Sequence, residues 1–155
     1  MPKRAHLIAG LLAPLCIATF FLSTILTETL GSHAAVAQLK SLIVTPGLWI
    51  MVPLMAAAGG SGLFLARSRK GRLVEAKTKR MPFIAANGLL VLVPCAIVLN
   101  RWATAGSFDS AFYLVQAIEL VAGAVNLALM GLNARDGLRM AGHLRTRPAT
   151  AAKVQ

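Results

Sequence analysis

Four apolar runs, each about as long as a bilayer is thick, divide this chain. They cover residues 7–28, 43–66, 82–102 and 110–133 approximately. A helix crosses the hydrocarbon core in roughly 20 residues, and each run supplies that length. Between the second and third runs lies Arg67-Ser-Arg-Lys-Gly-Arg-Leu-Val-Glu-Ala-Lys-Thr-Lys-Arg80, which holds seven of the sixteen Lys and Arg. Composition agrees, with 57% hydrophobic and 14% charged residues. A soluble domain has about 45–50% and 25%, so the excess apolar surface requires lipid as a second solvent.

The charges then set the threading. Lys3 and Arg4, the seven loop residues and five more after the fourth run place fourteen of the sixteen basic residues on one side. Lys40 and Arg101 fall on the other. Basic residues collect on the cytoplasmic face, which predicts an all-α, four-helix transmembrane bundle running up-down-up-down with both termini cytoplasmic. The net charge of +11 follows this membrane pattern, so it is read as topology and not as a nucleic-acid surface. The implied location is a bacterial inner membrane. The basic loop is expected to meet anionic lipid headgroups. Residues 134–155 read as a cytoplasmic amphipathic extension and tail.

Local signals refine the spans. The first run is longer than the roughly 7–15 apolar residues of a secretory signal peptide, so it is read as a span. Glu28 to Lys40 reads as a polar connection. Thr45-Pro46 reads as a helix start, with Thr as N-cap and Pro in the first turn. Pro82 likewise begins the third span, and Ser107 or Asp109 caps the fourth. Trp49, Trp102 and Tyr113 fall near the outer ends, where aromatic anchors are expected. Cys16 and Cys95 lie within apolar runs and read as buried free thiols, with a disulfide as the alternative. The small residues of Ala56-Ala-Ala-Gly-Gly-Ser-Gly62 permit close helix approach, which suits a homo-oligomer, a larger membrane complex or intramolecular packing alike.

Glu119 is the most costly residue in the chain, because it lies near the middle of the fourth span and a charge there must face the bundle interior. Gln116, Gly123, Asn126, Met130 and Asn133 share its face at spacings of three, four and seven. Glu119 is therefore a candidate proton carrier or cofactor neighbour. The structural alternative is a carboxyl held by Asn87 or by a Ser or Thr of the first span. Asn87, Asn100, Ser23, Thr24, Thr27 and Glu28 are the remaining candidates for a polar interior, with Glu28 also readable as a solvated helix end. His6 opens the first span, followed on its face by Ala9, Gly10 and Ala13. Small residues beside an imidazole leave room for a flat porphyrin, or serve ordinary packing. His143, on the same side, is a conceivable second ligand.

Three features together resemble one family. They are Lys3-Arg-Ala-His6-Leu-Ile, Ile43-Val-Thr-Pro-Gly-Leu-Trp49 leading to Gly62-Leu-Phe-Leu-Ala66, and Ala76-Lys77 before the third span. They resemble the four-helix HemJ-type protoporphyrinogen oxidases and their relatives, which include CopD-like and uncharacterised bacterial inner-membrane proteins. The resemblance implies His6 as a haem ligand and Lys77 as a functionally required residue. It departs where Asn87-Gly88 replaces a His-Gly pair, and the fourth span has no counterpart. The expected function is thus binding of a b-type haem or porphyrin, with His6 on the metal and Lys77, Gly10, Asn87 and Glu119 around the cofactor. The alternative is a non-catalytic accessory or assembly subunit, or a small proton-linked carrier using Glu119. No nucleophile elbow or phosphate loop appears.

Overall fold

A proline and a serine displace two of the expected helix boundaries. In this computed structural model, which describes residues 2–67 and 71–140, the second long helix begins at His33 and not at Thr45. Ser32 makes the difference: its Oγ accepts a hydrogen bond from the Ala35 N–H at 3.3 Å, capping the new helix. The chain then runs as α2 (His33–Leu42), a π-helical stretch over Ile43–Leu48, and α3 (Trp49–Ala66). Thr45 marks a kink inside that stretch, with φ −137° and ψ 111°. The residue before a proline is sterically driven out of the helical region, so Thr45-Pro46 bends a helix already under way. Residues 33–40, read as connection from the sequence, are therefore helical.

The same correction applies at Pro82. Helix α4 (Arg72–Asn87) starts just after Gly71, whose φ of 141° suits a residue without a Cβ. Pro82 thus lies inside the helix, and the second half of the basic stretch is helical. A second π-helical stretch, Gly88–Leu92, leads into α5 (Val93–Thr104). The first and last helices are α1 (Pro2–Leu30) and α6 (Ser110–Met140). Asp109 caps α6, its Oδ1 accepting from the Phe112 N–H at 3.0 Å. Within the described residues, four helical segments are long and apolar enough to cross a membrane: His6–Leu30, His33–Leu65, Arg72–Thr104 and Ser110–Arg139.

Burial is distributed as lipid would require. On α1 the small or compact residues Ala9, Ala13 and Ile17 are buried, while Leu7, Leu11, Leu15, Leu22 and Leu26 face outward. Large apolar side chains outside are stable only in an apolar medium. Close packing, and not the hydrophobic effect, then holds the helices together. Helix α1 packs on α3, α2 on α5, and α4 on α6. One apolar cluster joins Val36, Leu99, Ala103 and Phe112, with Leu99 and Phe112 wholly buried. The polar stripe of α6 faces inward as its spacing predicts: Gln116, Asn126 and Asn133 are all buried. Cys16 and Cys95 are free thiols.

Candidate ligand-binding cavity and buried polar contacts

Helices α1, α3, α4 and α6 leave a cavity of about 350 Å3 between them. That volume lies within the range of roughly 300–1,000 Å3 typical of small-molecule sites. His6, Gly10 and Lys77 all line it. The resemblance singled out His6 and Lys77, helical spacing added Gly10 beside His6, and the fold brings the three to one place. A Cβ added at Gly10 would meet nothing within 4 Å, so space remains beside the α1 backbone. The other walls are mostly apolar, including Met51, Met55, Met81, Ile84 and Met130. The chain has six methionines, and every one with a described side chain lines this cavity. Met130 stood out as part of the α6 stripe; Met51 and Met55 lie four apart on α3, Met81 lies on α4, and no single sequence pattern joins the four. Thioether side chains are unbranched and adaptable, which suits walls that must fit an irregular guest.

The orientation of His6 follows from its partner. His6 Nδ1 lies 3.0 Å from Ser61 Oγ. The Ser61 hydroxyl donates its single hydrogen to the Ala57 carbonyl one turn earlier. With that hydrogen so placed, the hydroxyl oxygen is free to accept from His6 Nδ1–H, the tautomer that would carry the imidazole lone pair on Nε2. A neutral imidazole with an oriented N–H is the form in which histidine binds a metal. Gly62 lets the ring sit there. A Cβ at Gly62 would come within 3.1 Å of His6 Cε1 and 2.6 Å of Met81 Cε. The absence of a side chain at this one position is what allows α1 and α4 to close against α3.

The other expected cofactor neighbours are elsewhere. Asn87 donates through Nδ2 to the Ala122 carbonyl at 2.8 Å and to Asn126 Oδ1 at 3.1 Å, tying α4 to α6. It does not line the His6 cavity. Neither does Glu119, which borders a separate space of about 50 Å3 with Thr24, Phe20 and Ile43. Its partner is neither Asn87 nor a hydroxyl of the first span. Lys40 Nζ donates to Glu119 Oε2 at 2.6 Å, and Gln116 Nε2 donates to the same oxygen at 3.1 Å. Lys40 is 1% exposed. Its reading as an outer-loop charge is thus corrected: because α2 starts at His33, Lys40 sits inside the packed helices and neutralises Glu119. Ser41 Oγ donates to Asn100 Oδ1 at 2.9 Å nearby.

A second ion pair joins α4 to the end of α6. Arg80 Nη1 donates to Asp136 Oδ2 at 2.7 Å, and Asp136 is 2% exposed. Arg135 donates to the other oxygen at 3.3 Å. Arg80 therefore has a specific, buried partner. By contrast, Glu75 and Lys79 form an exposed pair along α4 at 2.9 Å. His143 lies outside the described residues. Among the described residues no three His, Cys, Asp or Glu side chains come together as a metal-binding group.

The described structure is thus an all-helical protein with four segments able to cross a membrane. The chain matches no known protein-family profile, no curated protein and no solved structure.

Proposed function

We propose that this is a small multi-pass protein of a bacterial inner membrane that binds a b-type haem or porphyrin in the His6 cavity. The observation that supports this reading is the meeting of His6, Gly10 and Lys77 around one apolar space, with His6 Nδ1 held 3.0 Å from Ser61 Oγ. The residues suit the group. Nε2 of His6 would hold the metal, Ser61 would orient the ring through Nδ1, and the Lys77 ammonium would offset the charge of a propionate. The methionine and aliphatic walls would give a porphyrin an apolar surround. A bound haem would supply one-electron chemistry, with its potential tuned by this surrounding shell.

In this reading the four spans run up-down-up-down, with both termini and the basic stretch on the cytoplasmic side, against anionic headgroups. The burial of Lys40 strengthens the charge asymmetry, because only Arg101 is left as an outer cation of the original count. The protein purified in detergent, alone or after incubation with hemin, tests the binding. A Soret band is expected, and His6→Ala should abolish it without unfolding the chain. A protein that stays colourless with hemin refutes the reading. For the topology, a single cysteine at Lys79 should react only from the cytoplasmic face.

A further inference from the structure

Where α4 meets α6, one hydrogen-bond donor is left over. Asn87 Nδ2 donates to the Ala122 carbonyl at 2.8 Å and to Asn126 Oδ1 at 3.1 Å. Together these bonds fix both amides. A carbonyl only accepts, so the Asn87 atom beside Ala122 is the NH2 group, and the Asn126 atom facing that NH2 is the oxygen. Asn126 Nδ2 is thereby committed to the other side, where it is shielded from solvent and has no acceptor among the described residues. Asn126 is wholly buried. A buried donor without an acceptor is costly, and hydrocarbon offers nothing to replace it. The donor adjoins the large cavity. Gly88 lines that cavity, and the position a Gly88 Cβ would take lies 3.6 Å from Asn126 Nδ2. The Met55 thioether covers the same spot, with its Cε 2.9 Å and its Sδ 3.5 Å from that position. Gly88 is seven residues beyond Met81, which packs beside His6 at Gly62. At 1.5 Å per residue the two ends of the cavity are about 10 Å apart.

We propose that Asn126 Nδ2 binds a carbonyl oxygen of a neutral, lipid-soluble quinone that enters the Gly88 end of the cavity, with the flexible Met55 side chain turning aside. The unmet group is an N–H, so the guest must bring an acceptor. It is neutral because the surroundings at this end are an amide, thioethers and aliphatic carbons, and Lys77, the one lysine of the lining, lies eleven residues away from Gly88 along the chain. It comes from the bilayer because Leu63 and Leu89 belong to the lining and are exposed on the lipid-facing surface. Depth selects among lipid-soluble carbonyl compounds. Asn126 lies seven residues inside Asn133, about 10 Å into the apolar run, whereas the ester carbonyls of phospholipids lie outside the hydrocarbon core. A quinone dissolves in that core and carries its carbonyl on the edge of a flat, apolar ring. The assignment goes beyond the haem reading and does not rest on it, since it uses no metal and no residue of the His6 end.

The full-length protein in detergent, with no hemin added, is titrated with a decyl-substituted benzoquinone labelled with 13C at its carbonyl carbons. Infrared difference spectra read the carbonyl stretch, and the titration reads the affinity. Saturable binding is expected, with one carbonyl band moved to lower frequency than in protein-free micelles. Asn126→Leu should return that band to its micellar position and weaken binding about tenfold, the loss expected for one hydrogen bond. Gly88→Ala leaves the Asn87–Asn126 bond in place and puts a methyl group in the path to Nδ2, so it should weaken binding similarly and decides the matter should Asn126→Leu fail to fold. The proposal is overturned if the quinone only partitions into micelles, as it would if Asn126 held nothing but water, or if the shifted band and the affinity survive both substitutions. His6→Ala should leave the quinone bands unchanged, so loss of the Soret band and loss of the carbonyl shift report on separate claims.

Discussion

The two ends of α1 solve opposite problems. Glu28 lies about 33 Å from His6 along the helix at 1.5 Å per residue. Around His6 the helices keep open space, with glycines and flexible methionines for walls. Around Glu119 they leave only about 50 Å3, and polar side chains bond to one another across three helices. One end preserves room and the other preserves charge. A buried ion pair is favoured by close enclosure, whereas a guest site keeps room.

The sharpest way to break this contrast is to remove half of the buried pair. Glu119→Leu leaves Lys40 enclosed without a partner and should destabilise the protein by about 3–5 kcal/mol, measured by unfolding in detergent. Lys40→Met combined with Glu119→Leu should recover most of that loss. If the double variant is as unstable as the single one, the pair is not what matters there. Filling the other end should act on binding more than on stability. Gly62→Leu forces Met81 and His6 aside, for an expected cost of about 1–3 kcal/mol and loss of hemin uptake read by absorbance. Unchanged uptake would move the guest away from His6.

Asn87→Ala separates the polar link from the cavity. It removes the bonds to Ala122 and Asn126, and such contacts average about 0.6 kcal/mol in membrane proteins. Hemin binding should be unaffected, because Asn87 lies outside the cavity walls; weakened binding would bring Asn87 back into the site. The smallest effect is expected at Glu75→Ala. Both members of that pair are well exposed, and the change should fall within the error of the unfolding measurement.

The contrast between the ends also explains what the sequence made legible. Hydropathy and charge located all four spanning segments, since a lipid-facing residue must be apolar whatever its neighbours are. The inward face of α6 followed from helical spacing. Around His6, small residues on a shared face were enough to suggest a space. The Lys40–Glu119 pair was invisible because its members are 79 positions apart, and an isolated lysine beside polar residues reads as loop. Helix starts at Thr45-Pro46 and Pro82 were misplaced for a related reason. Proline marks a boundary in water, yet among packed membrane helices its lost hydrogen bond is tolerated within a span. Ser32 carried the true start signal for α2, and Asp136 the true partner of Arg80, but each takes its meaning from residues that only the fold brings near.

Met51 belongs to the lining of both the larger cavity and the smaller space beside Glu119. It is almost completely enclosed, at 3% exposure, and its side chain turns about three single bonds. The two spaces therefore have one side chain as common wall, and a substitution that shortens or lengthens Met51 changes the volume of both at once.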